Sequence, residues 1–320
     1  MRAVVLKEFG PPGNLIAAEV PDPEPGPGQV LVDVQIANIT FVETQIRAGR
    51  PPNPAMAPEL PAILGNGVGG ILTAVGPGVP ASVIGQRVIT ATGGAGGYAE
   101  QVAVDGSQVI PVPADLALED AVALLADGRT ATALVRATKP QPGETVLVEA
   151  AAGGVGSLLV QLAKTAGARV IAAAGGPRKT ALAIQIGADQ AVDYTGPGWT
   201  ADVSGVDVVF DGVGGEIARD AFGLLREGGR MIMYGAASGA FAAIPDADAA
   251  RRGVRLLRGV PVTPAQMREL TIAALDEAAA RRLRPLIGQT FPLERAAGAH
   301  RSIERRESVG KTLLRVPGHR

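Results

Sequence analysis

Residues 149–156 read EAAAGGVG and overlap the end of the apolar run TVLVEA (145–150). What comes next has helical spacing, SLLVQLAKTAG (157–167), so the glycines sit where a strand hands over to a helix. From there strands and helices alternate: RVIAAA (169–174), a helix over PRKTALAIQIG (177–187), QAVDY (190–194), VDVVFDGVG (206–214), a helix over EIARDAFGLLREG (216–228) and RMIMYG (230–235). Strands that are apolar throughout suit a parallel sheet covered on both faces, and the intervening helices supply the crossovers. The fold class is therefore α/β, with a Rossmann-type doubly wound parallel sheet.

Outward from this unit the texture changes. Residues 1–115 carry short alternating runs, RAVVL (2–6), QVLVDVQIA (29–37), GGILTAV (69–75) and RVITA (87–91), broken by corners such as PDPEPGPG (21–28) and GPGVP (76–80). A mostly β domain is expected there. LEDAVALLADGRTATALVRAT (118–138) then reads as a helix closed by Pro140 and Pro142. After the alternating unit, TPAQMRELTIAALDEAAARRL (263–283) reads as a helix with Thr263 as N-cap and Pro264 at its first position. Strand-like LRPLIGQTF (283–291), a helix near LERAAGAHRSIE (293–304) and the strand KTLLRV (311–316) follow and return to the first domain. The expected domains are thus 1–118 completed by 263–320, and 119–262 inserted between them. RRGVRLLRG (251–259) reads as a solvated helix end, and RMIMYG or its neighbour as a sheet edge able to pair across a two-fold axis.

Composition narrows the function. The 320 residues carry a formal net charge of −1, with Lys and Arg dispersed, so neither nucleic acid nor an anionic membrane is an expected partner. There is no cysteine and there are two histidines, His300 and His319, which excludes disulfides, cysteine nucleophiles and Cys/His zinc sites. No metal site is expected. The N-terminus MRAVVLKEFG has no apolar h-region, and no apolar stretch reaches the ~20 residues of a membrane span. A cytoplasmic protein acting on small molecules is the expectation.

The glycine spacing Ala150-x-x-Gly153-x-x-Gly156 is a relaxed dinucleotide fingerprint. At a strand-to-helix turn, small residues let the backbone approach a pyrophosphate, and free helix N–H groups meet its charge. Ala152, Gly153, Gly154, Val155 and Gly156 are assigned to that role. An NAD site usually carries an acid about 20 residues further on, to bond the ribose 2′-hydroxyl. Here that place reads AAAGGPRK (172–179), with Gly175, Gly176, Arg178 and Lys179 and no acid before Asp189. Glycine space beside two cations suits a 2′-phosphate, so the cofactor inferred is NADPH.

Together MRAVVLKEFG (1–10), GPGQVLVDVQIANITFVETQIRAG (26–49), GGYAEQVAV (96–104), ETVLVEAAAGGVGSLLVQLAK (144–164), VVFDGVGG (208–215), GGRMIMYGAASG (228–239) and ESVGKTLLRV (307–316) resemble the zinc-independent quinone oxidoreductases of the medium-chain dehydrogenase/reductase superfamily. The resemblance spans nearly the whole chain. It implies a GroES-like, mostly β catalytic domain beside the Rossmann domain, NADPH as cofactor and a homodimer. It further implies Thr130 beside the nicotinamide, Lys179 and Tyr194 flanking the adenosine 2′-phosphate, Val213 with Gly235, Ala236, Ala237 and Ser238 lining the cofactor, and Lys311 near the same cleft. Zinc-dependent relatives have Gly-His-Glu where this chain has Asn66 and Gly67 in LGNGVGG (64–70).

Without a Lewis acid, reduction of an already electrophilic quinone or enone is the expected chemistry. An NADPH-dependent quinone oxidoreductase is the first reading. An enoyl or 2-alkenal reductase is its close variant, and a low-turnover NADPH-binding protein the alternative. ITFVETQIRAG (39–49) departs from the family pattern, offering Thr40, Glu43 and Gln45 where Asn, Asp and often Tyr are usual. The Thr40 hydroxyl and Gln45 amide are the candidate partners of a substrate carbonyl oxygen, while Glu43 and Arg47, four apart, read as a structural helix pair.

Overall fold

Strands that are apolar throughout and strands that alternate go to different sheets in the computed structural model, which describes residues 1–317. The chain opens with β1 (Arg2–Leu6), β2 (Leu15–Glu19), β3 (Gln29–Ile39), α1 (Phe41–Arg47), β4 (Ala62–Ile63), β5 (Gly67–Val75), β6 (Arg87–Ala91), β7 (Gln101–Asp105) and β8 (Ile110–Pro111). Next come α2 (Leu118–Thr138), β9 (Thr145–Glu149), α3 (Gly154–Thr165), β10 (Arg169–Ala174), α4 (Pro177–Gln185), β11 (Gln190–Asp193), β12 (Val206–Asp211), α5 (Gly215–Gly223), β13 (Leu225–Met233), α6 (Asp246–Arg251) and β14 (Arg255–Arg258). The last elements are α7 (Pro264–Ala279), β15 (Ile287–Pro292), α8 (Ala296–Glu304) and β16 (Lys311–Arg315). One unit comprises Met1–Ala126 with Thr271–Arg320, the other Asp127–Leu270.

In the first unit β3 alternates half-buried and buried residues along most of its length, as a sheet with one covered face requires. Its seven-stranded sheet runs β15-β16-β3-β5-β6-β8, with β7 also on β3, and a smaller sheet runs β2-β1-β4. β16 pairs antiparallel with β3, from Thr312 against Ile39 to Arg315 against Ile36, so a strand near the end of the described residues joins the sheet that β3 begins. Val32, Val34, Val68, Leu72 and Leu314 lie in the core of this unit.

The second unit has one six-stranded sheet in the order β11-β10-β9-β12-β13-β14, parallel at every pairing. Every residue of β12 is buried, and all but the first of β10, as helices on both faces demand. Strand order reverses between β9 and β12, and ligands of open α/β sheets bind at the carboxyl ends of strands at such a reversal.

Three expectations are refined. The helix over 216–228 stops at Gly223, because Leu225 takes a place beside Val206 in the parallel ladder; the register then slips before Arg230 pairs with Val208, and Gly228 sits at φ 78° in between. Of RMIMYG and its neighbour, RMIMYG lies inside the sheet, and the neighbour, β14, is one of the sheet's two edges. RRGVRLLRG is a solvated helix end only at its start, where the exposed Arg251 ends α6; Arg255–Arg258 is a strand that pairs with β13. Its arginines hold the protein itself, Arg252 donating to the carbonyls of Phe222, Gly223 and Leu225 and Arg258 pairing with Asp246. The N-cap reading at α7 matches its geometry: Gln266 N–H donates to Thr263 Oγ1 at 3.3 Å, and Thr263 N–H to Gln266 Oε1 at 2.8 Å.

Candidate functional site

β9 is followed by Ala150, a non-glycine residue held at φ 47°, where the chain turns out of the sheet and into α3. Gly153 is the N-cap, and the first helical bond runs from Ser157 N–H to Gly153 O. The N–H groups of Gly154, Val155 and Gly156 therefore leave the helix end without an intrahelical acceptor. Gly156 is required by contact: a Cβ there would lie 2.3 Å from the Ala150 carbonyl oxygen. Ala151 and Ala152 are buried against this turn. The result is a backbone cradle of small residues facing a helix N-terminus, which is the geometry that holds a pyrophosphate.

At the end of β10, Gly175 faces Tyr194, whose ring carbon Cε2 lies 3.3 Å from where a Gly175 Cβ would be. Arg178 is exposed in the first turn of α4, and Lys179 follows it half-buried. Asp193 Oδ1 accepts the Gly176 N–H at 2.9 Å and both the N–H and hydroxyl of Thr195, and these bonds hold its carboxyl below the usual range. Asp189 is committed elsewhere, to Lys164 and the Val170 N–H. Gly175 and Tyr194 thus meet at the neighbouring ends of β10 and β11, and Arg178 and Lys179 follow in the first turn of α4.

The loops after β12 and β13 are joined through backbone bonds. Gly235 N–H reaches Asp211 O, Ala237 N–H reaches Gly212 O, and Ser238 N–H reaches Val213 O at 2.8 Å. Val213 and Gly235–Ser238, assigned to one cofactor surface, are brought together. Thr130 lines a cavity of about 210 Å³ with Arg129, Ala133, Leu134, Tyr234 and Val260 among its walls. Sequence reasoning passed over Arg129, since one Arg in a helix carries no signal until its surroundings are known. Burial lowers its guanidinium from the usual value, and Asp127 opposes that.

In the first unit Thr40 is the N-cap of α1. Glu43 takes its N–H and its hydroxyl, the latter at 3.1 Å, and also the Asn66 N–H at 2.7 Å. Burial pushes the Glu43 carboxyl up, against the pull of these bonds and of nearby Lys311. Lys311, at the start of β16, is itself buried. Gln45 donates to Thr44 Oγ1 at 3.1 Å. The expected Glu43–Arg47 pair is not made: Arg47 faces the other way, to Glu304 and the Gly10 carbonyl. Tyr98 bonds His300 Nε2 at 3.0 Å in the same unit, and burial first, then Arg47, lowers the imidazole to about 3. His319 lies outside the described residues.

Where zinc-dependent relatives place His-Glu, a Cβ on Gly67 would lie 2.4 Å from Asn38 Nδ2, so the Asn38 amide fills that space. Among the described residues no group of three or more His, Cys, Asp or Glu could hold a metal ion.

Residues 26–114 match the alcohol dehydrogenase GroES-like domain and residues 186–314 the family described as zinc-binding dehydrogenase. A 2-haloacrylate reductase from Burkholderia is 32% identical over 98% of both chains, and a rat quinone oxidoreductase is 32% identical over 98% of this chain and 97% of that one. The chain belongs to the quinone oxidoreductase family of the medium-chain dehydrogenases/reductases. Among solved structures, Escherichia coli quinone oxidoreductase complexed with NADPH superposes with a TM-score of 0.89 at 28% identity, covering 98% of this chain and all of that one. A protein named NAD-dependent alcohol dehydrogenase superposes at 0.88 with 32% identity, covering 99% and 100%. Family neighbours thus differ in the cofactor they are named for, and the choice between NAD and NADP falls to this chain's own residues.

Proposed function

We propose that the protein is an NADPH-dependent oxidoreductase whose acceptor is a quinone, working in the cytoplasm as a homodimer. The observation that carries this is the pairing of two glycine turns at the carboxyl ends of the neighbouring strands β9 and β10. The N–H groups of Gly154, Val155 and Gly156 take the pyrophosphate, and Gly175 and Gly176 with Arg178, Lys179 and Tyr194 take the adenosine 2′-phosphate. A carboxylate where Gly175 stands would favour NAD; none is there. Thr130 would lie beside the nicotinamide, and Val213 with Gly235, Ala236, Ala237 and Ser238 would line the cofactor between.

When bound, NADPH supplies a hydride to an electrophilic acceptor. The protein's share is orientation and exclusion of water. The Thr40 hydrogen is committed to Glu43, so Thr40 meets a carbonyl oxygen only if that bond yields. Gln45 spends one amide hydrogen on Thr44 and has a second for the substrate. Lys311 lies near the buried Glu43 carboxyl at the start of α1 and opposes the rise that burial imposes on it. For the dimer, the support is β14, whose free edge ends the six-stranded sheet. For the cytoplasm it is a cysteine-free chain reading as a user of reduced cofactor.

A second reading, reduction of a conjugated carboxylic acid, is favoured by Arg129. Its guanidinium shares the Thr130 cavity, where Asp127 acts on it, and would pair with a substrate carboxylate. A relative named for a 2-haloacrylate fits that reading.

The test is oxidation of NADPH and NADH against a benzoquinone, an enone, a 2-alkenal and a 2-haloacrylate. Lys179→Glu is expected to cut kcat/KM for NADPH by about 10–100-fold, the worth of one charge-assisted bond, and to leave NADH nearly unchanged. Arg129→Leu should raise KM for the acid alone. Equal use of both cofactors overturns the 2′-phosphate assignment, and binding without turnover leaves the low-turnover binder as the reading.

A further inference from the structure

The unused feature of the second unit is a pair of acids at its switch point. β9 and β12 are neighbours in parallel register, with Val208 against Val146, Val209 against Leu147 and Phe210 against Val148. The next step of that register sets Asp211 beside Glu149, on the same face and at the carboxyl ends of both strands. Both side chains are fully buried at 0% exposure.

Their bonding is asymmetric. Asp211 Oδ1 accepts the N–H groups of Val213 at 3.0 Å and Gly214 at 2.7 Å, while Glu149 Oε2 shares the Val213 N–H at 3.3 Å. The remaining oxygens, Glu149 Oε1 and Asp211 Oδ2, are buried without any other hydrogen-bond partner. Two adjacent carboxylates with no cation between them do not both ionise in such a place. The groups acting on the pair are no help: Asp220 on α5, Tyr234 after β13, and, acting on Tyr234 in turn, Asp127 on α2 and Tyr194 after β11. None of these is a cation.

We propose that Glu149 and Asp211 hold one proton between them, and that this proton fixes the Val213–Gly214 turn in the shape that receives the dinucleotide. The inference about binding rests on the cofactor reading above. With the proton in place, Glu149 donates to Asp211, and Asp211 Oδ1 stays aimed at the two N–H groups of the turn. Burial, then the Asp211 charge, pushes the Glu149 carboxyl well above its usual range, in keeping with a proton retained at neutral pH. Loss of the proton to solvent leaves two anions side by side beneath the turn and close to Ala150, where the pyrophosphate cradle begins. The turn then shifts, and an anionic cofactor meets an extra negative charge. By reciprocity, binding the cofactor in alkaline solution draws a proton in. Glu149 is a positioning residue in this account, since it acts through the turn.

Two measurements test it on the full-length protein. Infrared difference spectra of the cofactor-free protein at neutral pH should show the carbonyl stretch of one buried protonated acid, absent from Glu149→Gln. NADPH affinity, read from nicotinamide fluorescence, should fall in the wild type by up to about tenfold per pH unit once the shared proton ionises. Glu149→Gln keeps a donor but has nothing to lose, so its affinity should stay flat across the same range and lie within about threefold of the wild type at neutral pH. The 2′-phosphate titrates alike in both proteins. No acid band in the wild type, or the same alkaline decline in wild type and Glu149→Gln, overturns the proposal; if that variant does not fold, an alkaline decline in Asp211→Asn at the same pH as in the wild type, rather than at lower pH, overturns it. A band present with no NADPH bound by any variant overturns instead the cofactor reading and the binding half of the inference, while the shared proton stands.

Discussion

The glycine turn after β9 and the helix α1 are both sites where a strand gives way to a helix, yet they are built from opposite materials. The turn is made of backbone. Ala150, Gly153 and Gly156 matter for what they lack, and the N–H groups that face outward are those of any helix start. α1 is made of committed side chains: Thr40 to Glu43, Glu43 to Asn66 and Lys311, Arg47 to Glu304. A backbone site tolerates divergence everywhere except at its small residues. A side-chain site changes whenever one partner changes, which is consistent with the family pattern surviving at the first place and drifting at the second.

The largest expected effect attacks the side-chain half through its buried imidazole. His300 is neutral when folded, with its value lowered to about 3, whereas an unfolded histidine titrates near 6.5. Below 6.5 the unfolded chain binds a proton that the folded chain refuses, so stability is full above pH 6.5 and lost as pH falls toward 3. His300→Gln should remove up to about 5 kcal/mol of that decline, visible in urea unfolding at stepped pH. A slope unchanged by the substitution would place the acid sensitivity elsewhere. Next, Arg47→Met should cost about 3 kcal/mol, the low end for breaking a buried pair because Glu304 is partly exposed, and leave the NADPH affinity of the folded protein unaltered.

Gly156→Ala tests the backbone half. Its Cβ meets the Ala150 carbonyl oxygen, a neighbour with little room to move, so a cost of about 1–3 kcal/mol and a matching loss of NADPH affinity are expected in calorimetry. If stability falls and affinity does not, the cradle is structural only. The smallest effect comes from Ala150→Gly, which relieves a left-handed alanine and should stabilise by up to about 1 kcal/mol. A fall in stability there would mean that the lost methyl packing outweighs the strain.

The sequence by itself determined the doubly wound unit, the return of KTLLRV to the first unit, the helix start at Thr263 and the glycine turn at 175–176 with two cations following it. Each follows from periodicity, capping chemistry or strand-end position, which are local and repeat along the chain. The early end of α5, the strand at Arg255–Arg258, the turning away of Arg47 from Glu43, and the meeting of Glu149 with Asp211 were decided only by tertiary structure. In each case the partner is distant in sequence: Val206 for Leu225, β13 for β14, Glu304 for Arg47, and Asp211 for Glu149 across 62 positions. Spacing along one segment reports which face a residue takes; what waits on that face is set by the strand or helix that packs there.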